Sequence, residues 1–133
     1  MGKKPKILVV GSFVMDQIVT TRVFPRQGQT ILAERFNKAP GGKGANQAVQ
    51  MARLGAQVTM CGKLGHDANG DEMRRTCEEA GIDTSCILYD DNAASGCSVI
   101  ILEEQPNGDG KFGFSFVMDK IVQPSRALWI GEG

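Results

Sequence analysis

Apolar and polar positions along the chain change period several times. Lys6-Ile7-Leu8-Val9-Val10-Gly11 holds an unbroken apolar run, β-branched at Ile7, Val9 and Val10 and ended by glycine, which predicts a strand buried on both faces, as in a parallel sheet. Residues 13–20 continue extended with partial alternation, and Asp16 sits inside them. Pro25, Gly28 and Gln29 mark a turn, and residues 30–36 form the next expected strand, paired with 13–20.

The period then becomes helical. Ala45, Ala48, Val49 and Ala52 follow i, i+3, i+4, i+7 spacing, and Gly55 stands where a helix C′ glycine belongs. Residues 57–61 predict a strand closed by Gly62, residues 71–80 a helix ended by Gly81, and residues 85–89 a short strand. The order β, helix, β, helix, β predicts an α/β parallel sheet flanked by helices. From Gly96 the pattern changes again. Residues 97–103 and 111–118 are strand-like around Pro106-Asn107-Gly108-Asp109-Gly110, a β-hairpin signature. With 13–20 and 30–36 these strands are expected to form a small sheet apart from the main one. Residues 1–118 then make one unit, and the tail, 119–133, has little periodicity and receives no element.

Composition narrows the functional classes. The 133 residues carry 15 Lys and Arg against 15 Asp and Glu, so no basic excess points to nucleic acid or to an anionic membrane surface. The apolar run after the basic N-terminus is too short for a signal-peptide core, and no segment approaches transmembrane length. A cytoplasmic location is the resulting expectation. Cys61, Cys77, Cys86 and Cys97 form no Cys-x-x-Cys pair and His66 is the single histidine, so no zinc or other metal site is expected. The cysteines are expected to be buried, reduced thiols.

The chemistry concentrates in Gly41-Gly42-Lys43-Gly44-Ala45-Asn46-Gln47-Ala48. Glycines let backbone approach a ligand closely, and the helix that follows presents free N–H groups at its positive end. Lys43 and Asn46 add side-chain donors. A P-loop is excluded because Gly44, not Ser or Thr, follows Lys43. A Rossmann fingerprint is excluded because Gly11-Ser12-Phe13-Val14-Met15-Asp16 lacks Gly-x-Gly-x-x-Gly spacing.

Three ordered segments together carry a resemblance: a buried strand ending in Gly11-Ser12 and leading to Asp16, the Gly41–Ala48 segment, and Gly65-x-Asp67-x-x-Gly70 before a helix. Over about residues 6–118 the chain resembles the N-terminal half of the ribokinase-like (PfkB) carbohydrate kinase family. The complete Gly-Gly-Lys-Gly-Ala-Asn-Gln-Ala form is similar to its ribokinase branch. The resemblance implies a ribokinase-like fold whose small β-sheet is a lid, formed by strands near 13–20, 30–36, 97–103 and 111–118. It also implies a substrate-binding set. Asp16 accepts from sugar hydroxyls, Gly42 brings its N–H to the sugar, and Lys43 and Asn46 hold sugar oxygens. Ser98 and Ile100 lie where the lid closes. Gly65, Asp67 and Gly70 are given a structural role, with capping by Asp67 or Asn69, and His66 is expected to face solvent.

The implied activity is ATP-dependent phosphorylation of the primary hydroxyl of ribose or a similar sugar, with Mg2+ and a monovalent cation serving the complete family enzyme. Two departures qualify this. Val14 stands where ribokinases commonly carry asparagine, removing a polar contact worth on the order of 1 kcal/mol. Other pentoses, fructose-like ketoses and nucleosides therefore remain open. The Gly-Ala-Gly-Asp segment that supplies the family's catalytic aspartate and anion hole does not occur in the 133 residues. The chain is accordingly expected to be a truncated kinase, inactive alone and of low stability, with no catalytic residue and no cofactor site of its own. The alternatives are a non-catalytic sugar-binding module, a dimerisation module acting through the lid as a homodimer, or a frameshifted incomplete gene product.

Overall fold

The computed structural model describes residues 2–104 and 110–118. The elements run β1 (Lys6–Val10), β2 (Val14–Thr21), β3 (Arg35–Gly41), α1 (Lys43–Arg53), β4 (Gln57–Gly65), α2 (Ala68–Glu79), β5 (Ile87–Asp90), β6 (Cys97–Glu104) and β7 (Gly110–Met118). They form two sheets. The first has the order β1-β4-β5 and is parallel throughout. The second has the order β3-β2-β6-β7, with β2 parallel to β6 and antiparallel pairs on either side. The expected α/β class, with a parallel sheet and a separate small sheet, is what the chain adopts.

Helix punctuation follows the glycines. Gly55 and Gly81 follow the C-caps of α1 and α2 and both have positive φ, 97° and 78°, a conformation that costs glycine no Cβ clash. α1 buries Ala45 and Ala48, and these small side chains let the helix lie close to the sheet. Phe13, Met15, Met60, Leu64, Met73 and Cys77 are almost fully enclosed. Each large apolar side chain among them contributes about 1.5–3 kcal/mol by leaving water. Met15 belongs to the second sheet, Met60 and Leu64 to the first, and Met73 to α2, so a single cluster joins all three.

Burial along β1 alternates. Val9 is enclosed, whereas Leu8 and Val10 are 56% and 59% exposed, as is Leu88 of β5 at 61%. The parallel sheet thus carries helices on one face and bare apolar side chains on the other. Among the described residues nothing covers that second face, although parallel sheets are normally covered on both.

Several boundaries differ from expectation. The strand expected over 30–36 lies instead at Arg35–Gly41, and residues 30–33 take no regular form. Its pairing begins where Glu34 N–H donates to the Thr20 carbonyl and runs to Val14 opposite Gly41. Pro40 lies inside it, which is tolerated because β3 is an edge strand among the described residues and an edge position needs no second donor. β4 does not stop at Gly62 but continues to Gly65, because Gly62–Gly65 pair with β5. β5 starts at Ile87, and α2 starts at Ala68, not at residue 71, because Asp67 caps it. The cysteines were expected to be buried. Only Cys77 is; Cys86 is exposed and Cys61 and Cys97 are half-buried, all as free thiols. Strand positions that point away from the helices account for Cys61. The turn expected at 106–109 and the tail, 119–133, lie outside the described residues. No described helix is long and apolar enough to cross a membrane.

Candidate functional site

The Gly41–Asn46 segment bridges the two sheets. Gly42 is the N-cap of α1 with φ 101°, and a Cβ there would stand 2.5 Å from the Ser12 carbonyl oxygen. Both its conformation and its surroundings therefore demand glycine. Gly44 meets Gly11 backbone to backbone: a Cβ on Gly44 would lie 2.8 Å from Gly11 Cα. The end of β1 and the start of α1 thus touch without side chains between them. No side chain caps α1 and its first turn holds no acidic residue. Asn46 N–H bonds to the Gly42 carbonyl and Ala45 N–H reaches the Ser12 carbonyl at 3.4 Å, whereas the N–H groups nearer the tip, at the positive end of the helix dipole, have no partner among the described residues.

Asp16 lies beside this turn. On β2 it is in register with Ala39 on one side and Ser98 on the other. Ser98 Oγ donates to Asp16 Oδ1 at 2.5 Å, and Ser98 is 4% exposed. Asp16 Oδ2 is turned toward Gly41, where a Cβ would stand only 2.7 Å away. Glycine at 41 is what admits the carboxylate. Ile18 is in register with Ile100. Strand alternation therefore places Asp16, Ser98 and Ile100 on one face of the second sheet.

Lys43 and Asn46 are exposed and three residues apart, hence neighbours on the first turn of α1. Neither side chain bonds to another described residue. Of the six expected site residues, Asp16, Ser98 and Ile100 are brought together on the sheet, and Asp16 abuts the turn that carries Gly42. Lys43 and Asn46 stand free on the helix start. The Asp16–Ser98 bond spans 82 positions, so no local pattern could have revealed it.

Asp67 caps α2 as expected, accepting from Gly70 N–H at 2.7 Å. It also accepts from Ser95 N–H at 2.7 Å, a contact that sequence reasoning did not find. Burial works against its ionisation. The N–H bonds from Ser95 and Gly70, helped by the Ser95 hydroxyl and the nearby His66, outweigh that and hold its carboxyl below the ordinary range. His66 is exposed as expected, but its ring stacks on Tyr89 at 4.9 Å and Nε2 lies 2.8 Å from Asp91 Oδ1. Among the described residues no group of three or more His, Cys, Asp or Glu could hold a metal ion.

The model of the pfkB family of carbohydrate kinases matches residues 4–114. The ribokinase of Bacillus subtilis is 44% identical over 101 residues, which are 76% of this chain and 34% of that protein. The deoxyribokinase of Salmonella typhi is 38% identical over 96 residues, 72% of this chain and 31% of the relative. Among solved structures, Arabidopsis thaliana ribokinase complexed with ribose and ATP superposes with a TM-score of 0.69 at 30% identity, over 87% of this chain and 36% of that one. The chain spans about a third of the length of the relatives it matches. With its uncapped helix start beside the part-buried Ser98–Asp16 pair and a family match over residues 4–114, this chain belongs to the pfkB family of carbohydrate kinases.

Proposed function

We propose that these residues form the sugar-positioning part of an ATP-dependent kinase of the ribokinase type, which phosphorylates the primary hydroxyl of ribose or a similar pentose. The observation that carries this is the Asp16 carboxylate, fixed by Ser98 and set against the Gly41–Gly42 turn at the open start of α1. A carboxylate accepts from adjacent hydroxyls, and the N–H groups and Asn46 supply the complementary donors. Lys43 completes the donor set, and Ile100 offers an apolar wall on the Asp16 face. The second sheet acts as a lid over the sugar and as the contact between two copies in a homodimer. Relatives named as ribokinase and deoxyribokinase support a pentose.

Phosphoryl transfer from Mg-ATP then depends on groups outside these residues, since positioning alone supplies neither the general base nor the charge stabilisation. The bare face bearing Leu8, Val10 and Leu88 supports the same division, because a parallel sheet is stable when covered on both sides. The sugar and ATP that this reading requires are cytoplasmic, and so is the protein. Calorimetric titration with ribose, paired with a coupled ADP-release assay, tests the proposal. Binding without turnover by the 133-residue chain is expected. Turnover abolished by Asp16→Ala would show that the chain holds the catalytic machinery after all, and the lack of any ribose or deoxyribose binding would remove the sugar reading.

A further inference from the structure

Gly65, Asp67 and Gly70 face a single target, the segment that leads into β6. Asp67 Oδ1 takes the Gly70 N–H and Oδ2 takes the Ser95 N–H, each at 2.7 Å. Ser95 is 5% exposed, and its hydroxyl accepts from Gly65 N–H at 2.9 Å. A Cβ on Gly65 would run into the Ala93 carbonyl, and one on Gly70 would stand 2.8 Å from Ser95 Oγ. The motif is therefore moulded to the 93–95 backbone. Beyond it, the Gly96 carbonyl accepts from Met15 N–H at 2.8 Å, and Ser98 holds Asp16.

We propose that Asp67 and Ser95 form a clamp that sets β6 on the parallel sheet, making Asp67 a positioning residue for Asp16 through Ser95, Gly96 and Ser98. Two N–H donors converge on the side chain, and only a carboxylate offers both an acceptor. Ordinary capping of α2 needs one oxygen alone. The effect on β6 stands independently of any ligand, whereas the effect on sugar rests on the function proposed above.

Asp67→Asn and Asp67→Ser separate the two roles. Asparagine and serine are both good N-caps, but asparagine turns an NH2 toward Ser95 N–H and serine leaves that N–H unmatched. Residue-resolved hydrogen exchange on the 133-residue chain is the readout. The amides of Ser95 and Met15 are expected to exchange about tenfold faster or more in both variants. The Gly70 amide, and the Gly11 amide that bonds to the Cys61 carbonyl in the parallel sheet, should stay within about twofold of the parent. Unchanged exchange at Ser95 and Met15 overturns the clamp. So does a uniform loss of protection that includes Gly11, since that would make Asp67 a general stability residue. Ribose titration of the same proteins then reads the second consequence, about tenfold weaker binding in both variants. A parent chain that binds no ribose refutes the sugar reading and leaves the clamp to be judged by exchange.

Discussion

Replacing Gly44 by alanine sets helix propensity against packing, and the structure decides the winner. Gly44 is the second residue of α1. Alanine there should help by at most about 1 kcal/mol, the usual difference between the two residues in a helix. Its φ is not positive, so nothing in the backbone conformation requires glycine. Space does: the new methyl would stand 2.8 Å from Gly11 Cα, 3.2 Å from Gly11 C and 3.3 Å from Ser12 N. All three are backbone atoms of the β1–β2 connection and cannot rotate away. Overpacking of this kind costs about 1–3 kcal/mol, which leaves a net loss near 1 kcal/mol and a fall in Tm of about 3–6 °C for a chain of this size. Gly11→Ala meets the same contact from the other side, with its Cβ 2.9 Å from Gly44 Cα. Once one methyl has parted the two backbones, the second adds less. The double variant should therefore be more stable than additivity predicts, by about 0.5–1 kcal/mol. Urea denaturation of the parent, both single variants and the double variant measures all of this. A Gly44→Ala protein more stable than the parent, or strict additivity, would refute the close-contact argument.

Asp16→Ala should weaken ribose binding about ten- to hundredfold by removing a charged acceptor; calorimetry checks this, with circular dichroism confirming the fold. The folded-state carboxyl of Asp67 lies below its ordinary range, so its contribution to stability is present above the unfolded-state value and is lost as pH falls through the folded one. Acid unfolding below about pH 4 should accordingly be less steep in Asp67→Asn, and equal slopes in pH-dependent urea melts would count against it. Among the described residues Thr21 Oγ1 is buried without a hydrogen-bond partner, so Thr21→Val should be neutral or slightly stabilising. A loss above about 1 kcal/mol in thermal melts would mean that the hydroxyl is satisfied after all.

Local chemistry carried a large part of this protein. Glycines after apolar helical stretches marked both helix ends, because positive φ at a C′ position is a property of one residue. The apolar run at residues 7–10 and the strand-like 97–103 segment likewise marked strands through the local preference of their β-branched residues. Locality failed for residues 30–36. Pairing with β2, not intrinsic preference, decides where β3 lies, and Pro40 reads as a strand breaker until its edge position is known.

The candidate site divides along the same line. Gly42, Lys43 and Asn46 are contiguous, and a glycine-rich helix start is legible as a binding turn in sequence alone. Three things required the folded chain: that Asp16 gives one oxygen to Ser98, that Gly41 is bare so that the carboxylate can sit there, and that Asp67 reaches across to Ser95. These contacts join positions tens of residues apart, and sequence spacing carries no record of which strands become neighbours. Which residue types are present, and their local periods, were fixed by the chain itself; which of them share a hydrogen bond was decided by sheet register, because register alone brings distant side chains within 3 Å of each other.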